Sequence, residues 1–426
     1  MTLDSRADGD HDASVSVAKH LERVLAGIRP LEPVTAPLGE ALGRTLAADL
    51  VARDDVPSFD NSAMDGYALR AADASGASQS RPVVLTVVAD LPAGTEDDPA
   101  IGPGEAVRIM TGAPVPSAAD CVVPVEHTDG AGAEVRVFQS PQPEANIRRV
   151  GSDIRAGQVA LTAGTLLTPG ALAAAAATGA TEVLAHPAPR VGVLSTGSEL
   201  RPAGALLRRG QVHDSNLVLV AAAVAECGGV PLPLGAVHDD ADAFITVLRQ
   251  HADSVDAFVT TGGVSEGVYD VVKAALAPLG VWFGSVRMRP GRPQGFGRLS
   301  DNDDGGPPTF APPVFALPGN PLSVFVSFEA FVRPALLRLQ GRTAVHRVST
   351  RAVVAEGWAS RQGRTHFLPV VAEQAPDGGW LVRKSHEGAD GPGPLAGLAG
   401  ANAIAVVAEP VSRVVAGDEV EVWLLG

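Results

Sequence analysis

The stretch RVGVLSTGSEL, Arg190 to Leu200, decides the fold. A short apolar run ends in a polar loop marked by glycine, and the next apolar segment, SNLVLVAAAVAECGG, reads as a helix stopped by glycine. The rhythm then repeats. VPLPLGAVHDD is a strand with an acidic loop and ADAFITVLRQHA a helix; VDAFVTTGGVSEG is a strand with a glycine turn and YDVVKAALAPLG a helix. Strand, loop and helix in alternation predict a parallel sheet with helices on both faces, here a three-layer α/β domain over residues 190–341. The polar, proline-rich LSDNDDGGPPTFAPP interrupts it as an exposed hairpin tip.

The flanks read differently. Residues 1–14 are expected to form a mobile tail. Val17, Leu21, Val24, Leu25 and Ile28 share one helical face, with Ser14 or Ser16 as N-cap and Pro30 just past the end. PVVLTVVAD, EAVRIM, DCVVPVEHT and EVRVFQ are strands of a small β domain, residues 51–142. Residues 143–189 return to turns and a short helix. They are expected to pack beside the N-terminal helix, so that 15–50 and 143–189 make one discontinuous helical domain. The last segment, residues 342–426, alternates again and predicts a β-barrel-like domain. The fold class is therefore α/β plus β, in several domains, as 426 residues require.

One segment resists this scheme. VPSFDNSAMDGYAL, Val56 to Leu69, has apolar residues at no period of 2 or 3.6, yet it holds one of two tyrosines and one of four methionines. It is expected to be an irregular loop anchored by burial of Phe59, Met64 and Tyr67.

Composition narrows the partners. A net charge of −15 without any basic run disfavours nonspecific nucleic-acid binding. The two cysteines, Cys121 and Cys227, lie in apolar segments without metal-binding spacing and read as buried thiols of a reducing compartment. The acidic MTLDSRADGDHDAS is the opposite of a signal peptide, and ALAAAAATGA is too short to span a bilayer. A cytoplasmic protein without a membrane partner is expected. Three lysines stand against thirty arginines, a bias that puts arginine at basic positions.

Open parallel sheets bind ligands at the carboxyl ends of their strands. Each such end here carries a polar, glycine-marked loop. They are Ser195-Thr196-Gly197-Ser198-Glu199; His238-Asp239-Asp240; Gly262-Gly263-Val264-Ser265, followed by Tyr269, Asp270 and Lys273; and Pro318-Gly319-Asn320-Pro321. Glycines let backbone amides approach an anion, so TTGGVSEG and LPGNPLS suit phosphate, with Lys273 as a further anion contact. Either loop alone is compatible with a tight turn, and each acid alone with a helix cap or a solvated side chain. Together, Glu199, Asp239 and Asp270 would form a carboxylate cluster whose spacing no histidine or cysteine shares, which favours a hard cation such as Mg²⁺ over zinc. Mg²⁺ beside phosphate suggests chemistry at a phosphorus centre.

PSFDNSAMDGYALR, GEAVRIMTGAPVP, NIRRVGSDI, STGSEL, TTGGVSEG and LPGNPLSVFVSFE, in that order, resemble the molybdopterin molybdenumtransferase family, bacterial relatives of the gephyrin E domain. The resemblance runs from about Val15 over nearly the whole chain. It implies an elongated four-domain homodimer with an active-site cleft built from both subunits. The implied reaction is divalent-cation-dependent hydrolysis of adenylated molybdopterin, with molybdate inserted into the dithiolene and AMP released. The adenylyltransferase that makes the substrate is an implied partner. The family's functional acids and polar groups fall on Asp65, Thr111, Glu199, Asp239 and Asp270, its rigid turn on Pro318 and Pro321, and its RPGKP segment on Arg289, Pro290, Gly291 and Arg292.

Three positions depart from the family's oxyanion-binding pattern: Ser285 and Pro369 stand where lysine and arginine are usual, and Pro392 where serine is. Their replacement removes charge and a hydroxyl donor, with Arg287 as an offered compensation. Three readings stay open: the transferase, an enzyme of the same scaffold acting on another nucleotide or pterin with weakened molybdate binding, and a non-catalytic dimeric scaffold. Carboxylates at three strand ends plus Asp65 favour an enzyme.

Overall fold

The computed structural model describes residues 14–238, 240–264, 271–299, 312–376, 378–386 and 395–425. The chain divides into two compact units. The longer comprises Met1–Val34, Gly43–Thr45 and His186–Gly426, the shorter Thr35–Leu42 and Leu46–Ala185. Helix α1 (Val17–Ala26) opens the longer unit, capped by the Ser16 hydroxyl, which accepts from Lys19 N. It buries Val24, and Ile28 just beyond it, in the same core as Val286 and Phe331. Its His20 ring lies edge-on to Phe331, 4.6 Å between centroids. The sequence expectation that α1 forms a helical domain with residues 143–189 therefore fails: its apolar face is used inside the longer unit.

In the shorter unit the main sheet contains β1 (Gly66–Leu69), β2 (Val83–Leu91), β3 (Glu105–Ile109), β4 (Cys121–Pro124) and β5 (Glu134–Val137), ordered β4-β1-β3-β2-β5. Only β2 and β3 run parallel; the other pairs are antiparallel. Four of these strands follow from the sequence. The fifth, β1, lies within the segment read as an irregular loop and is central and wholly buried. Its period is hidden because both faces are covered, so apolar and small residues run continuously. Gly66 is required there, since a Cβ would collide with the Val123 carbonyl. Residues 143–185 are mostly not helical either. Ile147–Arg148 pairs with Asn61–Ser62, Val159–Leu161 pairs with Leu50–Val51, and α2 (Pro169–Ala177) is a short alanine helix.

The sheet of the longer unit contains β6 (Arg190–Thr196), β7 (Val230–Val237), β8 (Ala257–Thr261), β9 (Trp282–Ser285), β10 (Pro293–Arg298) and β11 (Pro313–Leu317), ordered β7-β6-β8-β11-β10-β9. The first four are mutually parallel, as the strand–helix alternation predicts. One strand corrects that expectation: β10 pairs antiparallel with both β11 and β9, and β9 runs in the direction of β11 again. The seven residues between β9 and β10 are too few for the crossover that parallel pairing needs. The segment between β10 and β11 falls mainly outside the described residues.

Helices α3 (Ser215–Glu226), α4 (Ala241–His251), α5 (Val271–Leu276), α6 (Pro321–Ser327) and α7 (Arg333–Leu339) accompany the sheet. Its two faces build separate cores: Val191, Val193, Val259 and Phe315 with α3 and α7, and Leu194, Phe258 and Val314 with α4 and α5. Beyond α7, strands β12 (Ser349–Val354), β13 (Thr365–Gln374), β14 (Trp380–Lys384), β15 (Ala403–Val407) and β16 (Glu419–Leu424) close in the ring β12-β16-β15-β13-β14-β12. This is the barrel that the alternating C-terminal pattern predicts, filled by Val354, Leu368, Val370, Val382, Ala405 and Val422.

Candidate functional site

The carboxyl ends of β6, β8 and β11 lie side by side in the sheet, and their loops carry much of the expected ligand-binding set. At the end of β6, Ser195 and Thr196 are buried and Glu199 is exposed. The Glu199 carboxylate folds over Gly197, where a Cβ would come within 2.5 Å of its Oε2. At the end of β8 the chain turns through Gly262 (φ +92°) and Gly263 (φ +66°), both in the left-handed region that favours glycine. A Cβ on Gly262 would meet the Thr196 carbonyl oxygen at 2.6 Å, so this loop crosses the end of β6 at backbone distance. Val264 is buried in the core below.

At the end of β11, Pro318 is buried and Gly319 exposed. Asn320 caps α6, its Oδ1 accepting from Leu322 N at 3.1 Å and Ser323 N at 3.4 Å, with Pro321 at the first helical position.

The antiparallel edge contributes a fourth loop. Because β10 pairs antiparallel with β11, and β9 antiparallel with β10 in turn, the turn between Ser285 and Pro293 falls at the same edge of the sheet. It carries Arg289, Pro290, Gly291 and Arg292. Gly291 has φ +96°, and its carbonyl and the Ser327 hydroxyl each accept from Gln294 Nε2 at 2.7 Å. Lys273 is exposed on α5, and its backbone N donates to Gly263 O at 3.2 Å. Asp239, Ser265 and Asp270 lie outside the described residues, and among the described residues no group of three or more metal-ligating side chains occurs.

Two residues that sequence reasoning missed tie these loops together. Asp214 caps α3, its Oδ1 accepting from Leu217 N and from the Ser195 hydroxyl, each at 3.0 Å. The Thr261 hydroxyl in turn donates to Ser195 Oγ at 3.2 Å, so the ends of β6 and β8 and the start of α3 share one buried chain of hydrogen bonds. Asn216 Nδ2 donates to the Gly319 carbonyl at 2.8 Å and adds the β11 loop. The available signal was the capping position in HDSN, just ahead of an apolar helix.

Asp65 and Thr111 belong to the shorter unit, and there they meet. Asp65 Oδ1 accepts from both the backbone N and the hydroxyl of Thr111, each at 2.7 Å. These bonds hold the Asp65 carboxyl below the usual carboxylate range. The burial expected for the surrounding segment holds for one aromatic only. Tyr67 is buried, with its hydroxyl donating to Ala131 O at 3.0 Å, whereas Phe59 and Met64 are 45% and 38% exposed. Polar bonds order the segment instead: Asp60 accepts from Val150 N at 2.7 Å and pairs with Arg149, and the Ser62 hydroxyl donates to Met64 O at 2.6 Å.

Of the three departures, Ser285 ends β9, Pro369 is buried within β13, and Pro392 lies outside the described residues. Arg287 is already engaged, with Nε on Glu409 at 3.0 Å and Nη1 on the Ser14 carbonyl at 2.7 Å.

Residues 15–179 match the MoeA N-terminal region (domain I and II), residues 192–338 the "Probable molybdopterin binding domain", and residues 351–425 the MoeA C-terminal region (domain IV). Molybdopterin molybdenumtransferase 2 of Mycobacterium tuberculosis is 40% identical over 419 residues, 96% of this chain and 99% of its own length. The chain belongs to the molybdopterin molybdenumtransferase family. The Bacillus subtilis molybdopterin molybdenumtransferase is 34% identical over 394 residues, 91% of this chain and 89% of its own. The crystal structure of the molybdopterin biosynthesis moeA protein from Pyrococcus horikoshii superposes with a TM-score of 0.79 at 29% identity, covering 96% of this chain and 100% of that one. Family membership makes this chain an enzyme of molybdenum cofactor biosynthesis.

Proposed function

We propose that this enzyme hydrolyses adenylated molybdopterin in a divalent-cation-dependent step, inserts molybdate into the dithiolene and releases AMP. The observation that carries the reading is the meeting of glycine-turned loops at one sheet edge. Gly262 and Gly263, both partly exposed, turn the backbone where a phosphate would sit, Gly291 shapes the neighbouring turn, and the buried Thr261–Ser195–Asp214 chain keeps β6, β8 and α3 in register.

Carboxylate oxygens are the donors that a hard cation takes. Glu199, Asp239 and Asp270 would hold it, and it would supply neutralisation of the phosphate charge. Arg289 and Arg292, on the neighbouring turn, supply fixed positive charge for anionic substrate groups, and Asn320 and Pro321 fix the loop beside them.

We further propose a homodimer in which the Asp65–Thr111 pair of one subunit completes the strand-end site of the other, acting in the cytoplasm with an adenylyltransferase as supplier of substrate. The buried free thiols Cys121 and Cys227, both pushed up to about 12 by burial, suit a reducing compartment. Among the described residues no helix is long and apolar enough to cross a membrane.

The test is complementation. Asp65→Ala and Asp270→Ala are each expected to abolish AMP release. Co-expressed, they should restore about a quarter of the original activity, because half of randomly mixed dimers carry one intact site. Mixed dimers that form by mass and stay inactive would refute the shared site.

A second reading, a family member with weakened molybdate binding, is favoured by one observation. Arg287, the cation nearest in sequence to Ser285, is matched by Glu409 and is not left over to replace a missing lysine.

A further inference from the structure

Asp214 and Asn216 are both more than nine-tenths buried, 6% and 7% exposed. Each has one polar atom tied to the protein and one that is not. Asp214 uses Oδ1 for both Leu217 N and Ser195 Oγ. Asn216 uses Nδ2 for the Gly319 carbonyl, which fixes its Oδ1 as an acceptor. Asp214 Oδ2 and Asn216 Oδ1 are buried and have no hydrogen-bond partner among the described residues.

Leaving a buried acceptor unpaired is destabilising, because its bond to water is lost and not replaced. A helix cap does not need that cost, because serine or threonine would accept from Leu217 N without a second oxygen. Two unpaired acceptors within the first turn of one helix, each side chain bonded to a strand-end loop, mark a place where donors arrive from elsewhere.

We propose that Asp214 Oδ2 and Asn216 Oδ1 form a two-acceptor subsite that binds adjacent N–H or O–H donors of the substrate. A phosphate is excluded from this spot, because it offers acceptors and negative charge to a carboxylate. Two donor pairs of the right kind exist in an adenylated pterin: the ring N–H beside the exocyclic amine of the 2-amino-4-oxopyrimidine edge, and the vicinal hydroxyls of the ribose. The inference rests on the proposed function and adds to it the orientation of the substrate. The phosphate lies over the glycine turns and a donor edge at the start of α3.

The deciding variant is Asp214→Asn. Its amide oxygen keeps the bonds to Leu217 and Ser195, while its NH₂ replaces the free acceptor with a donor. Calorimetric titrations would use AMP, 2′,3′-dideoxy-AMP and unsubstituted pterin on the full-length protein. The expected result is an unchanged Tm with a loss of about ten-fold or more in affinity. If the ribose supplies the donors, the loss appears with AMP, while dideoxy-AMP binds both proteins alike; if the pterin supplies them, the loss appears with pterin. Asp214→Ser, which also caps, should show the same loss.

Equal affinity of a folded Asp214→Asn for all three probes would overturn the proposal. So would failure of both variants to fold, which would show that the carboxylate serves the fold alone. Unmodified protein that binds neither AMP nor pterin would instead refute the adenylated-pterin reading, and this subsite with it.

Discussion

Replacing Gly262 by alanine tests whether the strand-end loops are held together at backbone distance. Gly262 has φ +92°, and its added Cβ would lie 2.6 Å from the Thr196 carbonyl oxygen and 2.9 Å from the Thr196 hydroxyl. The carbonyl has little freedom to retreat, because Thr196 ends a strand paired on both sides, with Val237 opposite it and Ser195 opposite Thr261. Two costs therefore add. Holding an L-residue in the left-handed region costs about 1–2 kcal/mol, and forcing a methyl into a filled space costs about 1–3 kcal/mol more. Gly363→Ala isolates the first, since Gly363 has φ +85° and nothing within 4 Å of its added Cβ. Urea unfolding of the three proteins, with slopes compared before midpoints, should place Gly262→Ala well below Gly363→Ala. Gly262→Ala should also weaken AMP binding, whereas Gly363→Ala should not. If the two variants are equally stable, the close approach of the loops is not a constraint and the cradle reading loses its basis.

Two further outcomes are expected. Asp65 gains its stabilisation from bonds to Thr111 that depress its carboxyl in the folded protein, so that contribution is complete above the unfolded value of about 4 and is lost as pH falls through the lower folded value. The stability gap between the unmodified chain and Asp65→Asn should therefore narrow in that window, and a gap that stays constant with pH would refute it. Ser285→Lys should tighten molybdate in calorimetric titration, because it restores a cation at the end of β9; an unchanged affinity would show that other groups already supply the charge.

The α/β domain was legible because its alternation of apolar strands, glycine loops and amphipathic helices is set by local chemistry. The closed C-terminal ring was legible as a barrel because half-buried strands alternate. What escaped the sequence escaped for physical reasons. β1 is buried on both faces, which erases the period of two, and its Gly66 is needed to admit the Val123 carbonyl, a contact that no local pattern shows. Helix α1 shows its apolar face but not the partner of that face, which lies more than 200 residues away in Val286 and Phe331. Asp214 and Asn216 escaped because polar residues at the start of an apolar helix are common caps. Only burial and the unused oxygens set them apart from such caps.

The segment around Asp65 supports the proposed dimer by the way it is held. A surface loop anchored by its own large apolar side chains would have buried Phe59 and Met64, and it would need no partner to explain them. Here the order comes from polar bonds instead: Asp60 to Arg149 and Val150, Ser62 to Met64, and Asp65 to Thr111. Those bonds leave Phe59, Met64 and Val150 exposed at 45%, 38% and 44%, while the Thr111 bonds orient the Asp65 carboxylate and hold it below the usual carboxylate range. Apolar side chains left exposed in a segment so firmly held suit contact with another chain better than contact with water. Complementation between Asp65→Ala and Asp270→Ala therefore asks whether that acid serves a second subunit. If activity does not return, Asp65 and Thr111 are left as the lock of a surface loop, and the exposed apolar residues around them need another occupant.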